Sequence, residues 1–186
     1  MILIKTILQT SLFLAIGFFA CNNSSEVKVT ENQDNSVPVS DSQKAVVSTD
    51  AHSAKQLPNF LMVNQEGGQT DLTSFQGKKV FVNLWASWCP PCRREMPSIQ
   101  KLYHSVDTSK VAFIMLGLDD TFEKSKNYMT SQKLDMPFYY PAQNMPEMFN
   151  VPSIPTTFIF NEQGQLIDKI VGGDDYDTDK YRKLFK

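Results

Sequence analysis

Val80-Phe81-Val82-Asn83-Leu84-Trp85-Ala86-Ser87-Trp88-Cys89-Pro90-Pro91-Cys92 decides the fold of this chain. Its first six residues are almost wholly apolar, as expected of a strand buried on both faces. From Pro91 onward, Met96, Ile99, Leu102 and Tyr103 recur at helical spacing. Two cysteines therefore sit where a buried strand hands over to a helix, and Cys-x-x-Cys at such a junction reads as a dithiol redox motif. Cys89 falls at the helix amino terminus, where unpaired N–H groups and the helix dipole favour a thiolate. Cys92 is one turn further in, more buried, and close enough to form the disulfide. Cys89 is thus the attacking sulfur and Cys92 resolves the mixed disulfide.

Working outward, Phe60 to Asn64 reads as a short strand and Gln65-Glu66-Gly67-Gly68 as a turn. Leu72 to Phe75 is a brief helical turn closed by Gly77. Val111 to Leu118 is a second buried strand, and Glu123 to Lys133 a helix with Thr121 as its N-cap. Phe138 to Tyr140 is a short strand, and Pro146 to Phe149 one helical turn. Thr157 to Phe160 and Leu166 to Val171 form a hairpin, and Tyr176 to Phe185 a closing helix. This order predicts an α/β sandwich around a mixed central sheet.

The whole chain has 186 residues, with 18 Lys+Arg against 20 Asp+Glu and a formal charge of −2. It has no basic excess to neutralise phosphates, which argues against a nucleic-acid partner. A 41% hydrophobic share is enough for a packed core, and three cysteines are too few for a disulfide scaffold.

Upstream of the domain the character differs. Residues 1–20 carry a single charge, Lys5, before a short apolar run, which reads as a secretory signal rather than a retained membrane span. Phe18-Phe19-Ala20-Cys21 resembles the lipobox of bacterial lipoproteins, which implies a diacylated Cys21 anchored stably by its acyl chains. Residues 22–57 hold no Phe, Trp or Tyr and read as a flexible linker averaging roughly 30 to 35 Å end to end. The folded domain is expected over residues 58–186.

Val82 to Cys92 resembles the active-site strand and turn of the thioredoxin superfamily. Within it the chain is similar, over about residues 58–171, to the membrane-tethered TlpA/ResA-like branch of thiol–disulfide oxidoreductases. Pro97, five residues after Cys92, matches the proline that kinks the family's active-site helix. Ile154-Pro155-Thr156 matches its cis-proline loop opposite the dithiol, and Thr121 to Tyr140 the helix and strand that this branch inserts. The resemblance implies a thioredoxin-like sandwich with helices flanking the sheet. It also implies electron exchange with protein disulfides in the periplasm, a membrane-embedded electron donor and no dissociable cofactor. Cytochrome c maturation is a common task of the branch, and a monomer is expected.

The resemblance also assigns residues. Trp88, Ile154 and Pro155 would meet the substrate, a cis bond leaving the Ile154 backbone free to pair with an extended segment beside Cys89. Asn83 stands where small thioredoxins carry a buried aspartate that assists proton transfer, work an amide cannot do. Glu95, three residues after Cys92, matches the acidic residue of the TlpA/ResA-like branch. On a helix it shares a face with Cys92, which would let it exchange a proton with the sulfurs. The other reading of Glu95 is a solvated residue paired with Lys101 or Arg94. Arg93 and Arg94 are expected at the surface.

Competing chemistries use the same residues less well. Zinc needs four ligands, and beyond the two cysteines only His52 in the linker and the distant His104 are candidates. A copper(I) site on Cys89 and Cys92 is the alternative class, because thiolates suit that ion. A disulfide oxidase or isomerase is the other alternative. A peroxidase of the peroxiredoxin kind would need threonine at Ala86. Asp175-x-Asp177-x-Asp179 begins like a calcium loop, but Lys180 and Lys186 stand where glycine and glutamate belong. Those aspartates are expected to cap the last helix and complement its dipole. Tyr139, Tyr140, Met145 and Met148 are expected mainly as core, with a partner groove as their other use.

Overall fold

A computed structural model describes residues 55–186. The signal, Cys21, His52 and nearly all of the expected linker lie outside them.

Seven strands make one mixed sheet. They are β1 (Leu61–Asn64), β2 (Gln69–Asp71), β3 (Lys79–Trp85), β4 (Val111–Gly117), β5 (Phe138–Pro141), β6 (Thr156–Phe160) and β7 (Leu166–Val171). Their order is β2-β1-β5-β4-β3-β6-β7, with β3, β4 and β5 parallel and the remaining pairings antiparallel. Three helices complete the domain: α1 (Pro90–Ser105), α2 (Phe122–Ser131) and α3 (Asp179–Leu184). The apolar runs of β3, β4 and β6 make them the buried centre.

The period of two divides the core. Phe81, Trp85, Phe113, Met115 and Ile159 pack with Cys92, Met96, Ile99 and Leu102 of α1, Met129 of α2 and Tyr181 of α3. Val80, Val82, Leu84, Ile114, Leu116 and Phe158 face the other way, onto Phe60, Leu72 and Phe149. The helices contribute to the first layer, and two single 3-10 turns, Leu72–Phe75 and Glu147–Phe149, to the second. Gly117, at the end of β4, is required by packing. A Cβ there would collide with Ser125 Oγ and come within 2.9 Å of Ser125 Cβ.

Several expectations need correction. The closing helix begins at Asp179, not Tyr176, because Tyr176 is tied elsewhere: its N–H donates to Ser98 Oγ on α1 at 3.1 Å and its hydroxyl to Thr157 on β6 at 2.7 Å. The residue at its N-cap is Thr178, so the aspartates do not cap it. Asp179 lies in the first turn, Asp177 pairs with Lys101 and Arg182, and Asp175 accepts from the Asp177 N–H. Thr121 takes the cap position of α2 in extended backbone, without a side-chain bond. β2, a polar strand at the sheet edge, has no apolar alternation to announce it.

The fold also starts before Pro58. Gln56 bridges Gln165, the Leu57 N–H donates to the Gly164 carbonyl at 2.6 Å, and Leu57 is buried. Among the described residues no helix is long and apolar enough to cross a membrane.

Candidate active site

β3 ends at Trp85, and four residues later Cys89 is the N-cap of α1 in extended backbone. Pro90 and Pro91 fill the first helical positions, where a missing N–H costs nothing. Cys89 and Cys92 are joined as a disulfide, their Cα atoms 5.3 Å apart. The Cys92 N–H donates to Cys89 Sγ at 3.3 Å. Both cysteines are buried, Cys89 with 3% of its residue surface exposed and Cys92 with none.

The Ile154–Pro155 peptide bond is cis, as the loop motif led us to expect. The Ile154 carbonyl oxygen lies 3.7 Å from Cys89 Sγ. Trp88, 65% exposed, forms with Leu118, Met145, Phe149, Val151 and Ile154 part of an open groove of about 530 Å³ beside that carbonyl. Met145 therefore belongs to the groove as well as the second core layer, whereas Tyr139 is core.

Glu95 is buried, which sets aside the solvated alternative, and Lys101 pairs with Asp177 instead. One carboxylate oxygen accepts from Asn83 Nδ2 at 2.8 Å, the other from the Asp174 N–H at 3.3 Å. Burial pushes the Glu95 carboxyl up from 4.5 to about 7. The two hydrogen bonds oppose this rise, and the Asp174 charge adds to it. A carboxyl poised near neutrality one helical turn from Cys92 is suited to trade a proton. Arg93 and Arg94 are exposed, and Arg93 lies over the Tyr128 ring at 5.6 Å. His104 contacts Asp135 at 3.0 Å, on the far end of α1 from the dithiol.

One member of the site escaped sequence reasoning. Asp119, buried just after β4, accepts from the Ser87 N–H at 3.1 Å, the Ser87 hydroxyl at 2.7 Å and the Ser125 hydroxyl at 2.6 Å. It ties the turn before Cys89 to α2. Tyr140 O–H donates to the Asp119 carbonyl at 3.0 Å, and the Leu118 N–H to Trp85 at 2.7 Å. The inserted helix and strand thus brace the redox turn. A carboxylate ending an apolar strand is the signal that was available.

A redox cysteine pair at a helix amino terminus, faced by a cis-proline loop at the same end of a mixed sheet, defines a thioredoxin-fold disulfide exchanger. Residues 52–184 match the redoxin family, and the chain belongs to it. Thiol-disulfide oxidoreductase ResA of Bacillus thuringiensis (strain Al Hakam) is 33% identical over 119 residues, 63% of this chain and 69% of that protein. A thiol:disulfide interchange protein of the thioredoxin family from Chlorobium tepidum TLS is 28% identical in its solved structure. Its TM-score is 0.59, covering 70% of this chain and 95% of that one. StoA from Bacillus subtilis, 24% identical, has a TM-score of 0.59 over 70% of this chain and 98% of its own, and shares the fold. The chain is a thioredoxin-like thiol–disulfide oxidoreductase.

Proposed function

We propose that this oxidoreductase is exported, held at a bacterial membrane through a lipidated Cys21, and reduces disulfides of extracytoplasmic proteins. The observation that carries the reading is the juxtaposition of Cys89 Sγ, the Ile154 carbonyl and the exposed Trp88 beside an apolar groove. An extended substrate segment pairs with the Ile154 backbone and presents its disulfide to Cys89. The Cys89 thiolate attacks one substrate sulfur, the substrate S–S bond breaks, and one substrate thiolate leaves. Cys92 then passes its proton to Glu95 and attacks Cys89 Sγ. The Cys89–Cys92 disulfide forms, the second substrate thiolate leaves, and two electrons have moved. Pro155 shapes the loop, and a membrane-embedded donor returns the electrons. The monomer is the working unit, with no dissociable cofactor.

Cys92→Ser in living cells tests the substrate class. It should accumulate a mixed disulfide through Cys89 with an exported protein. Adducts confined to cytoplasmic proteins would refute the localisation, and complete absence of adducts would refute the mechanism.

Cys21→Ser should release the protein from the membrane fraction with its dithiol chemistry unchanged. Retention in the membrane would show that another segment or a partner holds it.

Glu95→Gln should slow exchange and remove the inflection near pH 7 from its rate–pH profile, with the fold intact. It also has a stability signature. A carboxyl raised from 4.5 to about 7 favours the fold fully below pH 4.5, and this contribution is lost as pH rises through 7. The wild type should therefore lose up to about 3 kcal/mol between pH 4.5 and 8 on this account, and Glu95→Gln should not. Denaturant titration at the two pH values measures the difference.

A further inference from the structure

Between Phe81 and Trp85, β3 turns Asn83 toward α1, fully buried. Its Nδ2 lies 2.8 Å from Glu95 Oε1 and 2.9 Å from Thr157 Oγ1, so both contacts fall on one atom. Oδ1, equally enclosed, has no partner among the described residues. Buried polar atoms are ordinarily paired, and an orphaned one is costly. Thr157 is held from another side by the Tyr176 hydroxyl, which donates to it at 2.7 Å.

We propose that Asn83 is a positioning residue for Glu95 that serves both protonation states of its carboxyl. Nδ2 donates to the carboxylate, and a half-turn about Cβ–Cγ offers Oδ1 as acceptor to the protonated acid. An amide suits this because its two ends fill the same space with opposite hydrogen-bonding character. Thr157 follows without moving: its oxygen accepts from Nδ2, or its hydroxyl donates to Oδ1, while Tyr176 donates to it in both cases. One end of the amide is unpartnered in either orientation, so both protonation states bear the cost of an orphan. The proton leaves Cys92 Sγ and arrives on Glu95; Asn83 gains and loses none.

This rests on the assignment of Glu95 to proton exchange with Cys92. The other ionisable groups around Glu95 are Arg94 on α1, Asp174 and Asp175 on the loop after Gly173, and Tyr176 and Tyr181 behind it. Burial, first of all, holds both phenols above their ordinary range, so they stay protonated while Glu95 titrates.

Nuclear magnetic resonance of the oxidised full chain, labelled at glutamate carboxyl carbon and asparagine side-chain nitrogen, tests the proposal. The Asn83 amide signals should move with the same midpoint as the Glu95 carboxyl. Their through-space contact to Thr157, strong above the midpoint, should weaken below it. Asn83→Asp should split the Glu95 step into two, at least tenfold apart in proton affinity, because one proton is then shared by touching carboxyls. Asn83 signals that stay still through the Glu95 midpoint would overturn the proposal, and that measurement needs no variant. If Asn83 and Glu95 titrate together but Glu95→Gln leaves the rate–pH profile unaltered, the amide switch stands and the catalytic assignment of Glu95 falls.

Discussion

Cys89→Ser should reduce insulin-type disulfide reduction to the uncatalysed background, the largest loss any single substitution here can cause. Cys89 is the less buried of the two cysteines, and its sulfur is the one beside the Ile154 carbonyl. A serine hydroxyl at that position has no thiolate character at neutral pH and cannot replace it. Cys92→Ser should behave differently, completing the first attack and then stalling as a stable adduct. Alkylation of the reduced protein at mildly acidic pH, read by mass, locates the thiolate. Preferential labelling of Cys92 would reverse the two roles.

The reduction potential should lie near that of thioredoxin, about −270 mV, and far from that of DsbA, about −120 mV. A dithiol becomes oxidising when its reduced form is stabilised, chiefly by donors to the nucleophilic thiolate. Pro90 and Pro91 have no N–H to give. The Cys92 amide, 3.3 Å from Cys89 Sγ, is the nearest backbone donor, and the Arg93 N–H is committed to the Cys89 carbonyl at 3.1 Å. Glu95 adds a buried acidic group where a strongly oxidising site would favour a cation. The 150 mV between the two outcomes is about 7 kcal/mol for a two-electron couple, so equilibration against a thiol buffer separates them. A value above roughly −180 mV, the isomerase range, would replace the reductase reading by an oxidase or isomerase.

The features legible in the sequence are those set by local pattern. The apolar runs of β3 and β4, the helical spacing after Pro91 and the Asn161-to-Gly164 turn all describe their own neighbourhoods. Cys89, Cys92 and the cis bond before Pro155 were likewise tied to short motifs. What stayed hidden depends on residues far apart in the chain. Gln69-Thr70-Asp71 becomes a strand because β1 offers it an edge. Asp119 is buried because Ser87 and Ser125, 32 residues before it and 6 after, both donate to it. Tyr176 stays outside the last helix because its N–H is given to Ser98 and its hydroxyl to Thr157, 78 and 19 residues away. The Asn83–Glu95 contact joins a strand to a helix 12 residues on, which no single periodicity displays.

The Gln56–Gln165 bridge fixes the heel of the domain. Gln165 follows the hairpin turn after Phe160, which pairs with Val80 near the start of β3, whereas Thr156 pairs with Leu84 near its end. The heel and the dithiol therefore stand at opposite poles of the central sheet, separated by roughly 20 Å of strand. Any anchorage upstream of Lys55 takes hold at the heel and leaves Trp88 and Cys89 at the toe. A pull on the chain at Lys55 would load the Gln165–Leu166 edge first, through the Gln56–Gln165 bridge and the bond from the Leu166 N–H to the Lys55 carbonyl, and would bypass α1.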